Sequence, residues 1–337
     1  MQVKALAIHT RDRSRIYRIR LSRNDRAHSI VVKEPRSVIR ESSTESQVPT
    51  RPRLVPHPEI HTRFHSEFLT LRSVERALSE ETERFNVVRA LDFIESRSAI
   101  VTEELQGTTL RRLMSRHTRL HFFRRAGDLR LPFVNAGAWL RAYHRLDAAG
   151  AVPRHDTRRA VLDFTADITQ YLAATGTEGS LFLKVGDAIV RAAAESLPDT
   201  LPVVLGHGDF AMRNVIVDAK GRVASLDMWN RWRTAPYEDI AYFLVAMRNS
   251  RPQSVMQGAL FDESTLGHWE SAFIAGYYAG QPPPMQPIRI YQLLMLLDTW
   301  AARPPSAMRH RSATLALKWT LIGRAFEREA SRLLESL

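Results

Sequence analysis

The sequence contains no cysteine, which removes disulfide bonds and thiolate metal ligands from consideration. It also has no apolar run close to the roughly 18 residues that a membrane-spanning helix requires. The opening residues, MQVKALAIHTRDRSR, bring charged side chains before any apolar stretch of signal-peptide length. We therefore expect a cytoplasmic protein with no membrane partner.

Lysine is the second shortage, because only five of the 48 basic residues are lysine, at positions 4, 33, 184, 220 and 318. Each lysine is therefore worth inspecting as a functional group. Arginine supplies most of the net charge of +12. Basic chains often bind nucleic acid, but the arginines are spread over every segment and no nucleic-acid-reading motif accompanies them. A nucleic-acid partner is the weaker expectation.

The first hundred or so residues have a strand-like pattern. Alternating apolar and polar residues predict three antiparallel strands in VKALAIH, IYRIRLS and SIVVKEP. Residues 35–60 are rich in Ser, Thr, Pro and Arg and predict a mobile loop. A helix is predicted from His61 to Ser79 by its apolar spacing. Two further strands are predicted in NVVRALDFIE and SAIVTEEL.

Helical periodicity dominates after Gly107, with one exception. The segments NVIV and RVASL flank the turn DAKG and predict a small hairpin. The pattern as a whole predicts an α+β fold of two lobes. A β-rich N-terminal lobe is expected over residues 1–105 and a mostly helical C-terminal lobe over residues 106–337, with a cleft between them.

Residues 207–227, HGDFAMRNVIVDAKGRVASLD, carry the pattern that bears most directly on chemistry. Asp209 and Asn214 are five residues apart, and the predicted hairpin returns Asp227 towards them. Phosphoryl transfer needs a carboxylate to accept the proton of the attacking hydroxyl and hard oxygen ligands for Mg²⁺. The order H-x-D-x-x-x-x-N, then Asp, is that of kinase catalytic loops. The alternative is an ordinary hairpin whose polar residues serve its turns.

The stretch HGDFAMRNVIVDAKGRVASLDMW resembles the motif of the aminoglycoside phosphotransferase and choline kinase superfamily, the small-molecule relatives of protein kinases. The resemblance implies a bilobal protein-kinase-like fold and the use of ATP and Mg²⁺ with a small-molecule hydroxyl acceptor. It implies Asp209 as catalytic base, Asn214 and Asp227 as Mg²⁺ ligands, and His207 as a brace of the loop over 207–214. RTAPYEDIAYFL resembles the segment that ends in a supporting aspartate, here Asp239.

The same resemblance assigns residues of the N-terminal lobe to the nucleotide. Lys33, in the third predicted strand, is expected to neutralise the α and β phosphates of ATP. Glu67, on the inward face of the following helix, is its expected ion-pair partner, and Glu75 is the alternative. SAIVTEELQGTTLRRLM resembles the family's hinge. The backbone groups expected to hold adenine are those of Glu103, Glu104 and Leu105.

Departures from the family pattern leave alternatives open. The family's nucleotide loop often includes small residues, whereas the turn TRDRSR has no glycine, so a catalytically silent nucleotide-binding or scaffold protein is the alternative to an enzyme. Ala211 stands where protein kinases commonly keep a lysine, which disfavours protein substrates. Arg213 is a candidate for neutralising the transferred phosphate. A solvent-facing arginine is the competing interpretation of Arg213.

The acceptor class depends on the C-terminal lobe. A kinase of polycationic aminoglycosides is expected to line its acceptor pocket with carboxylates. Beyond residue 250 the chain has few, chiefly Asp262, Glu263, Glu270 and Asp298. The sequence therefore favours a sugar-like neutral or anionic acceptor over an aminoglycoside. The aromatic candidates for stacking on a sugar ring are Tyr277, Tyr278, Trp229, Trp232 and Trp300.

Overall fold

The computed structural model of the chain describes most of its residues. These are residues 2–10, 14–23, 26–36, 51–54, 60–81, 83–118, 128–146, 152–153, 156–175, 179–228, 232–256, 258–302 and 313–337. Three sequence predictions fall outside the described residues in whole or in part. They concern Trp229, positions 11–13 of the turn TRDRSR, and most of the segment 35–60.

A five-stranded antiparallel sheet forms the N-terminal lobe. Its strands are β1 (Gln2–Thr10), β2 (Ser14–Arg23), β3 (Arg26–Pro35), β4 (Ala90–Ile94) and β5 (Ala99–Glu103). They lie in the order β1-β2-β3-β5-β4. Lys33 of β3 is paired with Ile16 on one side and Ile100 on the other, so it lies in the middle strand of the sheet.

One helix, α1 (Ile60–Leu78), packs against this sheet. Phe64, Leu71 and Val74 recur at helical spacing and are buried, which explains why this stretch forms an amphipathic helix. Glu67 lies on the same buried face with only 3% of its surface exposed. The helix therefore presents a carboxylate towards the sheet.

The C-terminal lobe is mostly helical. Its helices are α2 (Leu110–Ser115), α3 (Arg130–His144), α4 (Arg158–Thr175), α5 (Gly179–Ser196), α6 (Tyr237–Arg248), α7 (Arg251–Val255), α8 (Glu263–Tyr278), α9 (Met285–Ala301) and α10 (Ala313–Glu335). Its short strands are β6 (Thr108–Thr109), β7 (Val152–Pro153), β8 (Val204–Leu205), β9 (Val215–Val217), β10 (Val223–Ser225) and β11 (Trp232–Thr234). β9 and β10 form the predicted hairpin. The predicted α+β arrangement of two lobes is confirmed.

Helices α3 and α8 cross at unusually close range because each has a glycine at the contact. A Cβ atom added at Gly137 would lie 2.0 Å from the carbonyl oxygen of Phe273. One added at Gly276 would lie 2.0 Å from the carbonyl oxygen of Val134. The two backbones can touch only without those side chains. This crossing brings Tyr277 at the end of α8 to His144 at the end of α3. His144 in turn bonds to Asp239, which holds the loop 207–214.

The described part of the segment 35–60 includes a short strap that joins the two lobes. Arg51 Nη2 donates to the carbonyl oxygen of Asp298 at 2.6 Å and to its Oδ1 at 2.8 Å. The backbone nitrogen of Leu54 donates to the same carboxylate at 3.2 Å, and Leu54 is buried in the core. Residues 51–54 are thus fixed to the end of α9.

Candidate helices for crossing a membrane were sought among those that the described residues form. None of them is both long enough and apolar enough to span a bilayer.

Candidate active site

Asp239, in the first turn of α6, fixes the start of the loop 207–214. Its carboxylate accepts hydrogen bonds from the backbone nitrogens of His207 at 2.6 Å and Gly208 at 2.9 Å. His144 Nε2, at the end of α3, donates to it at 3.0 Å. Burial would raise the pKa of Asp239, but the hydrogen bond from His144 and the two imidazoles outweigh burial and lower it. An ionised, buried carboxylate therefore holds the loop.

The side chain of His207 lies inside the lobe and is fully buried. The backbone nitrogen of Asp209 donates to its Nδ1 at 3.3 Å, so Nε2 carries the proton and donates to Ser225 Oγ at 2.9 Å. The rings of Trp139 and Phe210 pack edge-on against the imidazole. Burial lowers the pKa of His207 to about 4, although the charges of nearby carboxylates oppose that change. The imidazole is therefore neutral, and its two hydrogen bonds connect the loop 207–214 to β10.

Asp209 is buried, with 8% of its surface exposed, and both of its carboxylate oxygens are engaged. Oδ1 accepts from Tyr242 Oη at 2.9 Å and from Arg213 Nη2. Oδ2 accepts from Asn214 Nδ2 at 2.9 Å. Burial raises the pKa of Asp209, and the adjacent Arg213 opposes the rise. A raised carboxylate pKa favours proton acceptance, which is the property a general base requires.

Lys33 connects the two lobes across the cleft. Its Nζ lies 2.6 Å and 2.8 Å from the two carboxylate oxygens of Glu67, and it also contacts Asp227 Oδ1. The ring of Phe64 lies beneath the ammonium, 5.4 Å from its centroid. Burial would lower the pKa of Lys33, but Asp227 and Glu67 outweigh burial and raise it. One charged lysine thus bridges two carboxylates. Glu75, the alternative partner, lies near Arg89.

Asn214 and Asp227 are held next to each other by the hairpin. The backbone nitrogen of Leu226 donates to the carbonyl oxygen of Asn214 at 2.9 Å. Asn214 Nδ2 donates to Asp209, so its amide oxygen is the atom suited to a cation. Asp227 has a left-handed backbone with φ of 60°, which turns the chain sharply after β10.

These donors meet the requirements of Mg²⁺, which takes one or two protein carboxylate or amide oxygens and completes its shell with phosphate and water. Among the described residues no group of three or more His, Cys, Asp or Glu forms an all-protein metal site. The pair Asn214 and Asp227 fits a metal that is shared with a phosphate ligand.

Two backbone nitrogens of the predicted hinge, residues 103–105, donate hydrogen bonds to other residues of the N-terminal lobe. The backbone nitrogen of Glu103 donates to Arg89 at 3.0 Å, and that of Glu104 donates to Ser29 at 3.0 Å. Both of these backbone nitrogens are therefore engaged within the N-terminal lobe. A cleft of about 840 Å³ opens on the hinge beside the β9–β10 turn, and its described lining includes neither Lys33 nor the loop 207–214.

A second pocket, of about 600 Å³, lies beside Asp209. Arg213 and Tyr242, which both contact Asp209, belong to its wall. The loop 207–214, the helices α2, α6, α7, α9 and α10, and residues just after α6 and α9 contribute the other described lining residues. They are Arg111, Ala211, Met212, Val245, Ala246, Asn249, Ser250, Ser254, Thr299, Ala302, Trp319, Ile322 and Phe326. We call this the α6–α10 pocket.

The acidic residues of the C-terminal lobe lie elsewhere. Asp262 caps α8 by accepting from the backbone nitrogen of Thr265 at 2.7 Å. Glu263 and Glu270 pair with Arg248, in each case at 2.8 Å. Asp298 pairs with Arg51, as described above. None of these four carboxylates belongs to the described lining of the α6–α10 pocket.

Four of the five aromatic residues predicted to stack on a sugar are described, and none of them lines this pocket. Trp300 packs edge-on against Phe182 and Phe326. The hydroxyl of Tyr277 bonds to His144 Nδ1 at 2.7 Å. The aromatic side chains that the sequence analysis missed are Tyr242 and Trp319. Tyr242 stands three residues after Asp239, which was a usable signal, whereas no local pattern marks Trp319.

Comparisons with known proteins agree with this geometry. A family model described as the phosphotransferase enzyme family matches residues 55–277, which include the loop 207–214 and Asp239 but not Lys33. A search of the curated proteins finds no significant match.

Solved structures share the protein-kinase-like fold. Aminoglycoside phosphotransferase APH(4)-Ia, crystallised with AMP-PNP and hygromycin B, is 14% identical, with a TM-score of 0.54 over 99% of this chain and 94% of that chain. Macrolide 2'-phosphotransferase type I is 16% identical, with a TM-score of 0.52 over 94% and 90% of the two chains. A glucosamine kinase is 16% identical, with a TM-score of 0.51 over 79% and 71%. The predicted fold class is confirmed, and the chain belongs to the phosphotransferase enzyme family.

Proposed function

We propose that this protein is an ATP-dependent kinase that transfers the γ-phosphoryl group to a hydroxyl of a small molecule. One observation carries the proposal. Lys33 contacts Asp227, the residue before Asp227 donates its backbone N–H to the carbonyl oxygen of Asn214, and the Asn214 side chain donates to Asp209. A phosphate-binding cation, two metal-binding oxygens and a base therefore meet in one cleft. We also propose that the boundary between the N-terminal and C-terminal lobes lies near residues 105 and 106.

Lys33 is proposed to bind the α and β phosphates, with Glu67 holding its ammonium in place. In the structure Lys33 also contacts Asp227, so nucleotide binding is expected to draw the lysine towards phosphate oxygens. Asn214 and Asp227 are proposed to hold Mg²⁺, which would neutralise charge on the phosphates as it develops. The hinge residues Glu103 to Leu105 are proposed to face adenine.

Asp209 is proposed to accept the proton of the acceptor hydroxyl. The acceptor oxygen then forms a bond to the γ-phosphorus, and the bond from that phosphorus to the β,γ-bridging oxygen breaks. ADP leaves with that electron pair. Arg213, whose Nη2 contacts Asp209, is placed to meet the negative charge of the transferred group. His207 and Asp239 touch no reacting atom in this scheme, and they position Asp209 through the backbone.

The acceptor is proposed to be neutral or anionic rather than an aminoglycoside. APH(4)-Ia was crystallised with hygromycin B, and another structural neighbour is a glucosamine kinase. In this chain the acidic residues that would attract such amines are committed to Arg51, to Arg248 or to the cap of α8. A sugar-like hydroxyl compound without multiple amines fits the described lining better.

The first test separates the kinase from a silent nucleotide-binding or scaffold protein. We expect AMP-PNP with Mg²⁺ to raise the melting temperature of the protein, because ligand that binds the folded state stabilises it. Lys33→Met is expected to abolish most of that rise. An unchanged melting temperature in the wild type would favour the scaffold.

The second test is catalytic. ATP consumption is measured over a panel of sugars, sugar phosphates, aminoglycosides and amino alcohols, and the product is identified by mass. Asp209→Asn is expected to lower kcat about 100-fold or more without loss of AMP-PNP binding. Asp167→Asn, an exposed aspartate on α4, is the matched control and is expected to retain activity. A wild-type rate in Asp209→Asn would refute the role of the base.

A further inference from the structure

The α6–α10 pocket has an unbalanced charge. Among the described residues that line it, the charged ones are Arg111 and Arg213. The other polar groups are neutral hydroxyls and amides, such as Ser250 and Asn249. The nearby acidic residue, Asp209, lies behind Arg213 and is 8% exposed. A ligand in this pocket therefore meets positive charge before it meets negative charge.

Arg213 reaches from the catalytic loop into this pocket. Its side chain is 41% exposed, whereas the Asp209 side chain that it contacts is 12% exposed. Both of its hydrogen bonds, to Asp209 and to Tyr242, use Nη2. A guanidinium carries five N–H donors, so these two bonds leave those on Nε and Nη1 unused. The group is suited to a planar or tetrahedral anion.

Arg111 lies on the same side of the catalytic loop. It belongs to the first turn of α2, and its backbone nitrogen donates to the carbonyl oxygen of Met212 at 3.0 Å. Its side chain is exposed. Arg213 follows Met212 directly in the chain, so the two arginines are anchored on elements that touch. Two arginines at one pocket provide the charge and the donors that phosphate and carboxylate groups require.

The part of the wall that α10 supplies is apolar. Trp319, Ile322 and Phe326 of α10 line it, and Phe326 is nearly fully buried. The indole of Trp319 is half-buried. An aromatic face of this kind packs against the carbon skeleton of a ring. The pocket thus pairs a cationic side with a side for a ring or a short carbon chain.

We infer that the α6–α10 pocket selects a hydroxyl acceptor that also carries an anionic group, a phosphate or a carboxylate, bound by Arg111 and Arg213. The inference rests on the proposed function and narrows its acceptor class. Arg213 then has two tasks. In the absence of the acceptor it occupies Asp209 Oδ1, and an anion in the pocket draws the guanidinium outwards. Oδ1 keeps the hydrogen bond from Tyr242, and the position that Arg213 held on it opens to the hydroxyl proton, so the acceptor exposes the base that it needs.

Inorganic phosphate is the probe for this site, and AMP-PNP with Mg²⁺ fills the nucleotide site first. Phosphate binding is measured by calorimetry at constant ionic strength on the wild type, Arg111→Gln, Arg213→Gln and the double variant. Each single variant is expected to bind phosphate about tenfold to a hundredfold more weakly, because each removes charge-assisted hydrogen bonds. Arg213→Lys, which keeps the charge, is expected to recover part of the affinity.

Two controls make the outcome decisive. Arg191→Gln removes an exposed arginine from α5 and is expected to leave phosphate affinity unchanged. Spermidine, a polycation, is expected not to compete with phosphate. Equal phosphate affinity in the wild type and the double variant, or tighter binding of spermidine than of phosphate, would overturn the inference. Loss of AMP-PNP binding would count against the proposed function instead, and the phosphate titration repeated without nucleotide would still report on the two arginines.

Discussion

Acidification is expected to weaken the fold through the imidazole of His207. Burial lowers the pKa of His207 to about 4, whereas the imidazole of an unfolded chain has a pKa of about 6.5. Protonation would place a hydrogen on Nδ1, which already accepts from the backbone nitrogen of Asp209. At a pH between those two pKa values, His207 is protonated in the unfolded chain and neutral in the folded chain. The free energy of unfolding therefore falls as the pH drops from about 6.5 towards 4.

The size of the effect follows from the two pKa values. Each tenfold change in proton affinity is worth about 1.4 kcal/mol, so this group alone should remove about 2–3 kcal/mol of stability by about pH 4.5. The variant His207→Gln lacks the bonds that the imidazole makes to Ser225 and Asp209, and it also lacks this group's contribution to the pH dependence of stability. We expect the stability difference between wild type and His207→Gln to shrink by that amount on acidification.

The assay is urea unfolding followed by tryptophan fluorescence at about pH 7.5, 6.5, 5.5 and 4.5. His268→Gln removes an exposed histidine from α8 and is the matched control, expected to follow the wild-type profile. A stability difference between wild type and His207→Gln that stays constant over this range would refute the burial argument. A difference that grows on acidification would show that the imidazole is charged in the folded protein.

Three further changes probe packing and ion pairs through the free energy of unfolding. Lys33→Met leaves Glu67 buried without its cation and should cost about 3 kcal/mol or more at neutral pH, measured by urea unfolding. Gly137→Ala forces a Cβ onto the backbone of α8 and should cost about 1–3 kcal/mol, measured as a lower melting temperature. Arg51→Gln releases the strap from Asp298 and should cost about 1–3 kcal/mol, also measured by urea unfolding.

Each of these changes has a control. Adding Glu67→Gln to Lys33→Met should recover part of the loss, and no recovery would argue against the ion pair as its cause. Gly267 in α8 has open space around a built Cβ, so Gly267→Ala should be neutral or stabilising by up to about 1 kcal/mol. Equal effects at Gly137 and Gly267 would contradict the packing argument. Arg324→Gln, an exposed arginine of α10, should leave stability unchanged, unlike Arg51→Gln.

The catalytic loop was predictable because its information is local. Asp209 and Asn214 lie on one loop, and the β9–β10 hairpin, with three residues in each strand, fixes where Asp227 returns. The pairing of Lys33 with Glu67 was predicted from the family resemblance together with the periods of one strand and one helix, and the structure contains that contact.

The α6–α10 pocket was not predictable in the same way. Its walls come from helices separated by more than two hundred residues, and nothing near Trp319 in the sequence indicates that α10 returns to the loop. The ion-pair partners of the acidic residues beyond residue 250 were not predictable for the same reason. Asp298 is 247 residues from Arg51, so its availability to a substrate could be judged only from tertiary contacts.

Helix α6 contacts both the loop 207–214 and the α6–α10 pocket. Asp239 in its first turn holds the catalytic loop, and Tyr242, Val245 and Ala246 further along line the pocket. Helices α7, α9 and α10 line the pocket without supplying any of the described contacts to Asp239. Substitutions on those three helices should therefore redirect the enzyme towards new acceptors at little catalytic expense, whereas changes in α6 should alter selectivity and rate together. Laboratory evolution of acceptor range would be expected to accumulate mutations on α7, α9 and α10 first.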